Sequence, residues 1–329
     1  MKLSDFDYIL PKELIAQYPL KERDSARLLV LNRKKGTVEH RIFRDIVDYL
    51  GKDDLLVLNN TKVLPSRLTG LRKTGGKVEI LLLNQKSNLT FQALIKPARV
   101  KIKEKIILNS GHITAEVSDK NEITFYGIDI NTIYKLGKMP LPPYIKREVQ
   151  DDDNVYYQTV YARCEGAIAS PTAGLHFTEE LLNKIKLSGT NVAYITLHIS
   201  YSTFRPVKSQ DITKHNMDKE YFHIGVEAID SIERVRSDSR RIFAVGTTSA
   251  RTLESYSLGM KEGHTDLFIY PGYKFKIVDC LLTNFHLPRT TLFMLACAFA
   301  GNELLKMAYQ EAVDRKYRFY SYGDAMLII

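Results

Sequence analysis

Arg241-Ile242-Phe243-Ala244-Val245-Gly246-Thr247-Thr248-Ser249-Ala250-Arg251 passes from a short apolar run to a glycine, then to hydroxyl residues, then to a helix carrying Arg251, Leu253 and Glu254. A continuous apolar run bounded in this way predicts a buried strand, and the glycine, hydroxyls and helix beyond it predict a β-turn-α unit. The same alternation continues upstream. A helix near Val226 to Val235 feeds this strand, and a helix over 179–187 feeds Val192-Ala193-Tyr194-Ile195-Thr196-Leu197. Two further strands are expected near the start, Arg27-Leu28-Leu29-Val30-Leu31 and Asp54-Leu55-Leu56-Val57-Leu58. Strands alternating with helices argue for an α/β layer domain.

Between these pieces the periodicity changes. Lys77-Val78-Glu79-Ile80-Leu81-Leu82-Leu83, Thr90 to Ile95, Lys105 to Leu108, His112 to Val117 and Glu122 to Tyr126 are short strand-like runs separated by Gly, Asn, Ser and Pro. They predict a small β-barrel. It closes at the proline-rich Met139-Pro140-Leu141-Pro142-Pro143-Tyr144, and the acidic Asp151-Asp152-Asp153 beyond it is expected to be a solvated loop. The fold expected is therefore a discontinuous α/β layer domain, residues 1–66 and 149–329, with a small β-barrel inserted at 67–148.

A chain of 329 residues with 44% hydrophobic residues can bury a sizeable core. The longest apolar run, Thr291 to Ala300, is too short to span a membrane and is expected to be a buried helix. The start, Met-Lys-Leu-Ser-Asp-Phe-Asp, lacks the apolar region of a signal peptide, so a cytoplasmic protein is expected. Cys164, Cys280 and Cys297 form no Cys-x-x-Cys pair, and the eight histidines lack His-x-x-x-His spacing; no metal is expected. Of the net charge of +9, residues 67–148 supply +8, from 15 Lys/Arg against 7 Asp/Glu. That quarter is a candidate polyanion surface, in which Lys101, Lys103 and Lys105 cluster; a solvated lysine-rich face is the plainer alternative.

Four stretches can carry chemistry. Glu165-Gly166-Ala167-Ile168-Ala169-Ser170-Pro171-Thr172-Ala173-Gly174-Leu175-His176-Phe177-Thr178 is a small-residue loop that reads as a ligand site around Thr172 and Gly174. Thr178 caps the following helix, and His176, just ahead of it, can serve as acid, base or hydrogen-bond donor. Gly246 to Ser249 offers N–H groups and hydroxyls at a helix start, suited to a carboxylate, phosphate or sugar hydroxyl, without being a Walker loop or a G-x-G-x-x-G turn. Thr283-Asn284-Phe285-His286-Leu287-Pro288-Arg289 gathers an amide, an imidazole and a guanidinium, of which Arg289 can clamp a carboxylate and Asn284 read a base edge. Arg318 to Leu327 includes Asp324, which can accept from a purine-like edge. Each has a duller alternative: a turn, a capped helix, a turn aspartate. His198 ends an apolar strand as a core histidine would, whereas Lys214-His215 lies in a polar connection of the sort that meets nucleic-acid backbone.

Taken together, the 165–178 segment, Leu58-Asn59-Asn60-Thr61-Lys62-Val63, Met139 to Ile145, Gly246-Thr247-Thr248-Ser249-x-Arg251-Thr252-Leu253-Glu254, Thr283 to Pro288 and Tyr320-Ser321-Tyr322-Gly323-Asp324-Ala325-Met326 resemble the S-adenosylmethionine:tRNA ribosyltransferase-isomerases of queuosine biosynthesis, almost end to end. Departures are mild: Ala250 stands where Val is usual, and Lys62 where Arg is usual. The resemblance implies an enzyme that consumes S-adenosylmethionine as a ribosyl donor and has no resident cofactor. Its partner is a tRNA bearing 7-aminomethyl-7-deazaguanine, and its products are epoxyqueuosine-tRNA, adenine and methionine. Such chemistry needs a base for a proton made acidic by the sulfonium, a hydrogen bond for departing adenine and a clamp on the methionine carboxylate. The implied roles are proton transfer by His176 or Glu165, the carboxylate at Arg251 or Arg289, and the deazaguanine at Asp324 or Asn284. Thr172, Gly174, Thr247, Thr248, Ser249 and His286 complete the substrate site. A tRNA-binding protein without catalysis and an S-adenosylmethionine-dependent RNA methyltransferase are the alternatives.

Overall fold

The computed structural model describes residues 1–108, 111–201 and 207–329. Two compact units divide the chain, one made of Met1–Lys62, Pro143–Arg147 and Tyr156–Ile329, the other of Val63–Pro142 and Glu148–Val155.

The larger unit is built on a nine-stranded sheet. Its order is Glu262–Thr265, Glu220–His223, Asn191–Leu197, Leu55–Asn59, Ile242–Val245, Cys280–Asn284, Ala325–Ile328, Arg27–Asn32, Thr37–Ile42. The four strands from Asn191–Leu197 to Cys280–Asn284 run parallel, and Ala325–Ile328 is antiparallel to the last of them. Parallel strands covered on both faces read as continuous apolar runs, which is why Leu55-Leu56-Val57-Leu58 and Ile242-Phe243-Ala244-Val245 are buried throughout. Alternate side chains feed separate cores. Leu55, Val57, Ala193, Ile195, Ile242, Ala244 and Leu281 face a core completed by Ile232, Leu253, Phe293, Leu305 and Tyr309 from four helices, Val226–Ser237, Gly246–Tyr256, Thr291–Ala300 and Asn302–Asp314. Leu56, Leu58, Phe243, Val245 and Leu282 face the other, which Leu181 and Ile185 of helix Glu179–Leu187 close together with Phe43, Ala173 and Phe177.

Local signals account for the helix starts. The Thr178 hydroxyl accepts from Leu181 N–H at 3.0 Å, and Glu179 and Glu180 sit at the positive end of the dipole. Thr290 caps the apolar helix Thr291–Ala300 in the same way. Among the described residues no single helix is long and apolar enough to cross a membrane.

The smaller unit is a closed six-stranded barrel: Glu122–Tyr126, Thr90–Lys96, Lys77–Ser87, Arg67–Arg72, Lys105–Leu108 and Ile113–Asp119. Arg67–Arg72 is the barrel strand that sequence periodicity missed, as it missed Thr37–Ile42, Glu220–His223, Glu262–Thr265, Cys280–Asn284 and Ala325–Ile328 in the sheet. Its centre is Gly70, where a Cβ would lie 2.5 Å from the Ile106 side chain, so the apolar alternation breaks where the strands approach most closely. Helix Ile130–Leu136, capped by Asp129, sends Ile133 into a core of Leu68, Ile80, Phe91, Ile106, Val117 and Phe125. The acidic run is not wholly solvated: Asp153 is buried, and its carboxylate accepts from Gln150 N–H at 2.8 Å.

Candidate functional site

Strands Leu55–Asn59 and Ile242–Val245 are neighbours whose connections leave in opposite directions, the first to Asn191–Leu197 and the second to Cys280–Asn284. Such a switch point leaves a crevice beyond the carboxyl ends of the strands. A cleft of about 510 Å³ opens there, lined by Ile199, Gly246, Thr247, Thr248, Thr283, Asn284 and His286 from the strand ends and by Ser170, Pro171, Thr172, Tyr144, Tyr320 and Ser321 from the surrounding segments.

Each wall has a local cause. The helix begins at Gly246 itself, at φ 87°, a left-handed conformation that only glycine adopts without cost; Thr247 and Thr248 therefore form the first helical turn and meet the cleft directly. Asn59 stitches the strand ends together, donating to Leu197 O at 3.0 Å and Thr248 Oγ1 at 3.3 Å and accepting from Leu197 N–H at 3.0 Å. The segment 165–178 is not an open loop. Its Thr172–His176 portion is a 3₁₀ helix whose last four residues are buried.

The cleft is electrically quiet. None of its described lining residues carries a formal charge, and His286 is kept neutral, its pKa pushed by burial down to about 3. His286 Nε2 is 2.7 Å from Thr283 Oγ1, and its backbone N–H donates to the Tyr309 hydroxyl. His176 lies behind Asn284, on the wall of a second cleft of about 290 Å³ that also includes Arg23, Tyr156 and Ser321. Burial, reinforced by the cations Arg318 and Arg23, holds the His176 pKa near 3. Its ring packs on Phe43 at 4.9 Å, and its Nε2 is 3.2 Å from Asn284 Nδ2.

Thr172, Thr247, Thr248, Asn284 and His286 thus share the first cleft. Other expected site residues are placed differently. Gly174 is a packing glycine, since a Cβ there would fall 2.0 Å from the Tyr161 hydroxyl. The Asp324 carboxylate is spent on Arg27 N–H at 3.0 Å, Arg27 Nε at 3.1 Å and Arg318 N–H at 2.8 Å, so it is a structural aspartate rather than a base reader or catalyst. Arg251 is buried against Glu220, with further bonds to the carbonyls of Leu267 and Thr265, which removes it as a carboxylate clamp. Ser249 is fully buried outside the cleft lining. Arg289, at φ 59°, is an exposed partner of Asp7, and Glu165 is an exposed partner of Lys62 at 3.0 Å; neither is among the described residues lining these two clefts. Lys214 is exposed, His215 is half-buried edge-on to Phe268, and His198 is paired with Thr61 Oγ1 at 2.8 Å. Lys101, Lys103 and Lys105 are exposed on the barrel.

Sequence reasoning missed Tyr144, Ser170, Thr283, Tyr320 and Ser321 as site residues, although all lie in motifs or beside residues that it singled out. Tyr320 is the most informative omission. It sits at φ 75°, unusual for an aromatic residue, and its carbonyl accepts from Asn284 Nδ2 at 3.1 Å.

A family model described as "Queuosine biosynthesis protein" matches residues 3–328. Proteins named S-adenosylmethionine:tRNA ribosyltransferase-isomerase from Sulfurihydrogenibium sp. and Thermoanaerobacter sp. are 54% and 51% identical, each aligned over the full length of both chains. The one from Clostridioides difficile is 49% identical over the same extent. Among solved structures, the crystal structure of S-adenosylmethionine tRNA ribosyltransferase from Thermotoga maritima is 37% identical and covers 99% of this chain and 100% of its own, with a TM-score of 0.58.

Proposed function

This chain belongs to the queuosine biosynthesis protein family, and we propose that it transfers and isomerises the ribosyl group of S-adenosylmethionine onto tRNA. The acceptor is 7-aminomethyl-7-deazaguanine at the wobble position, and the products are epoxyqueuosine-tRNA, adenine and methionine. S-adenosylmethionine is consumed as a substrate rather than held as a resident cofactor. Working on tRNA, the enzyme acts in the cytoplasm.

The observation that carries this reading is the uncharged cleft at the switch point of the parallel sheet. A crevice at this position suits a small nucleoside-like ligand. Hydroxyls of Thr172, Thr247 and Thr248 are at hand for ribose, and the uncharged walls leave the sulfonium as the site's own source of positive charge, able to acidify the neighbouring C–H. Phosphates of the tRNA fall to the basic barrel and to Lys214 and His215, where contacts position the RNA without specifying a base. Incubation with S-adenosylmethionine and precursor tRNA tests the reading: free adenine is expected. S-adenosylhomocysteine would instead indicate methyl transfer, and neither product would indicate a binding protein.

A further inference from the structure

The Asn284 carboxamide is fixed in one sense. Its nitrogen faces three acceptors, His176 Nε2 at 3.2 Å, Tyr320 O at 3.1 Å and Asp324 O at 3.5 Å. The first of these accepts from the carboxamide when neutral His176 carries its proton on Nδ1. The carboxamide oxygen is therefore turned the other way, and it is buried with no hydrogen-bond partner. The Ser170 hydroxyl is buried and unpartnered as well. Both residues line the same cleft, and both are more than nine-tenths buried, at 2% and 4% exposure. Buried polar groups left unpaired cost free energy, and two on the wall of one cleft mark where a ligand supplies the missing partners.

The pattern is selective. An adenine edge presents one amino donor beside ring-nitrogen acceptors, which an amide oxygen and a hydroxyl can satisfy. A guanine-like edge presents two adjacent donors beside a carbonyl and is best met by a carboxylate, which the described lining lacks.

We infer that Asn284 is the specificity-determining residue for the purine of S-adenosylmethionine, its oxygen accepting from the 6-amino group while Ser170 donates to a ring nitrogen, and that His176 is a positioning residue that keeps the carboxamide in this sense. The inference rests on the cleft being the nucleoside site of the proposed reaction. Asn284 thereby belongs to adenosine recognition, and the deazaguanine is read elsewhere.

Binding of 5′-methylthioadenosine and of its 6-oxo counterpart, methylthioinosine, to the full-length protein by calorimetry tests this without tRNA. The wild type is expected to prefer the amino compound by about tenfold or more, as one lost hydrogen bond to a buried group implies. Asn284→Leu should weaken the amino compound and bring the two within about threefold. Ser170→Ala should weaken both. His176→Leu should erode the preference, whereas His176→Gln, which retains an acceptor, should restore it; this pair decides the matter if Asn284→Leu does not fold. A preference that survives Asn284→Leu or His176→Leu overturns the inference and leaves the cleft's assignment standing. Equal affinity of the wild type for both compounds does the same. Binding of neither compound overturns the assignment of the cleft itself, and the inference with it.

Discussion

His176 and His286 show how burial reassigns a residue type. The sequence offers His176 for proton transfer and His286 for substrate binding, yet both are buried with pKa values near 3, far below the ordinary 6.5. A histidine so placed is an acceptor or a neutral donor at physiological pH, not a proton carrier. The sign of the consequence for stability is fixed. Unfolded, each imidazole binds a proton below pH 6.5; folded, it does not until about pH 3. Stability is therefore full above pH 6.5 and is lost as pH falls, at about 1.4 kcal/mol per pH unit for each imidazole. Urea unfolding at pH 7 and pH 5 should show this loss, and His286→Gln should remove roughly half of it. His176→Gln should leave the pH–rate profile between pH 6 and 8 unchanged in shape; disappearance of a limb would return His176 to the proton-transfer step.

At the scale of the element, helix Gly246–Tyr256 divides its motif between fold and site. Its first turn gives Gly246, Thr247 and Thr248 to the cleft, whereas the next turns hold the unit together. Arg251 pairs with Glu220, and the Glu254 carboxylate gathers the N–H groups of Lys276, Ile277 and Val278 and the Tyr273 hydroxyl. Arg251→Met should therefore cost about 3–5 kcal/mol in urea unfolding, because Glu220 is left buried without its counter-charge. Adding Glu220→Gln should recover part of that loss. If Arg251→Met folds as firmly as the wild type and loses only S-adenosylmethionine affinity, the arginine is a ligand clamp after all. The sequence marks such a motif as a unit, because apolar periodicity and a glycine place the helix. It does not say which polar residues face inward: a helix turns about 100° per residue, and Ser249 and Arg251 differ from Thr247 and Thr248 only in which way they point.

For the molecule as a whole, alternation of buried strands and amphipathic helices made the α/β sheet legible, and strand-length runs between Gly and Pro made the barrel legible. The strand around Gly70 escaped because close packing removed the side chain that periodicity needs. The cleft was legible in its strand-end residues but not in Tyr144, Tyr320 or Ser321. These come from distant parts of the chain, and only the tertiary fold brings them to one wall. Charge adds a division of labour, with +8 of the net +9 in residues 67–148. Reversal of Lys101, Lys103 and Lys105 should weaken tRNA binding and flatten its salt dependence, since each neutralised phosphate adds about 0.7 to 0.9 to the log–log slope. Methylthioadenosine binding should not change. An unaltered salt slope would move the tRNA contact to the other unit.

In the reaction proposed, the ribosyl group, not the methyl group, leaves S-adenosylmethionine for tRNA. Two preparations of S-adenosylmethionine, one carbon-labelled in the ribose and one in the methyl group, tested on the same precursor tRNA, address it directly. Ribose label is expected to enter the tRNA in step with adenine release, while methyl label leaves as methionine. Methyl label in the tRNA, with the ribose label recovered in S-adenosylhomocysteine, would contradict it.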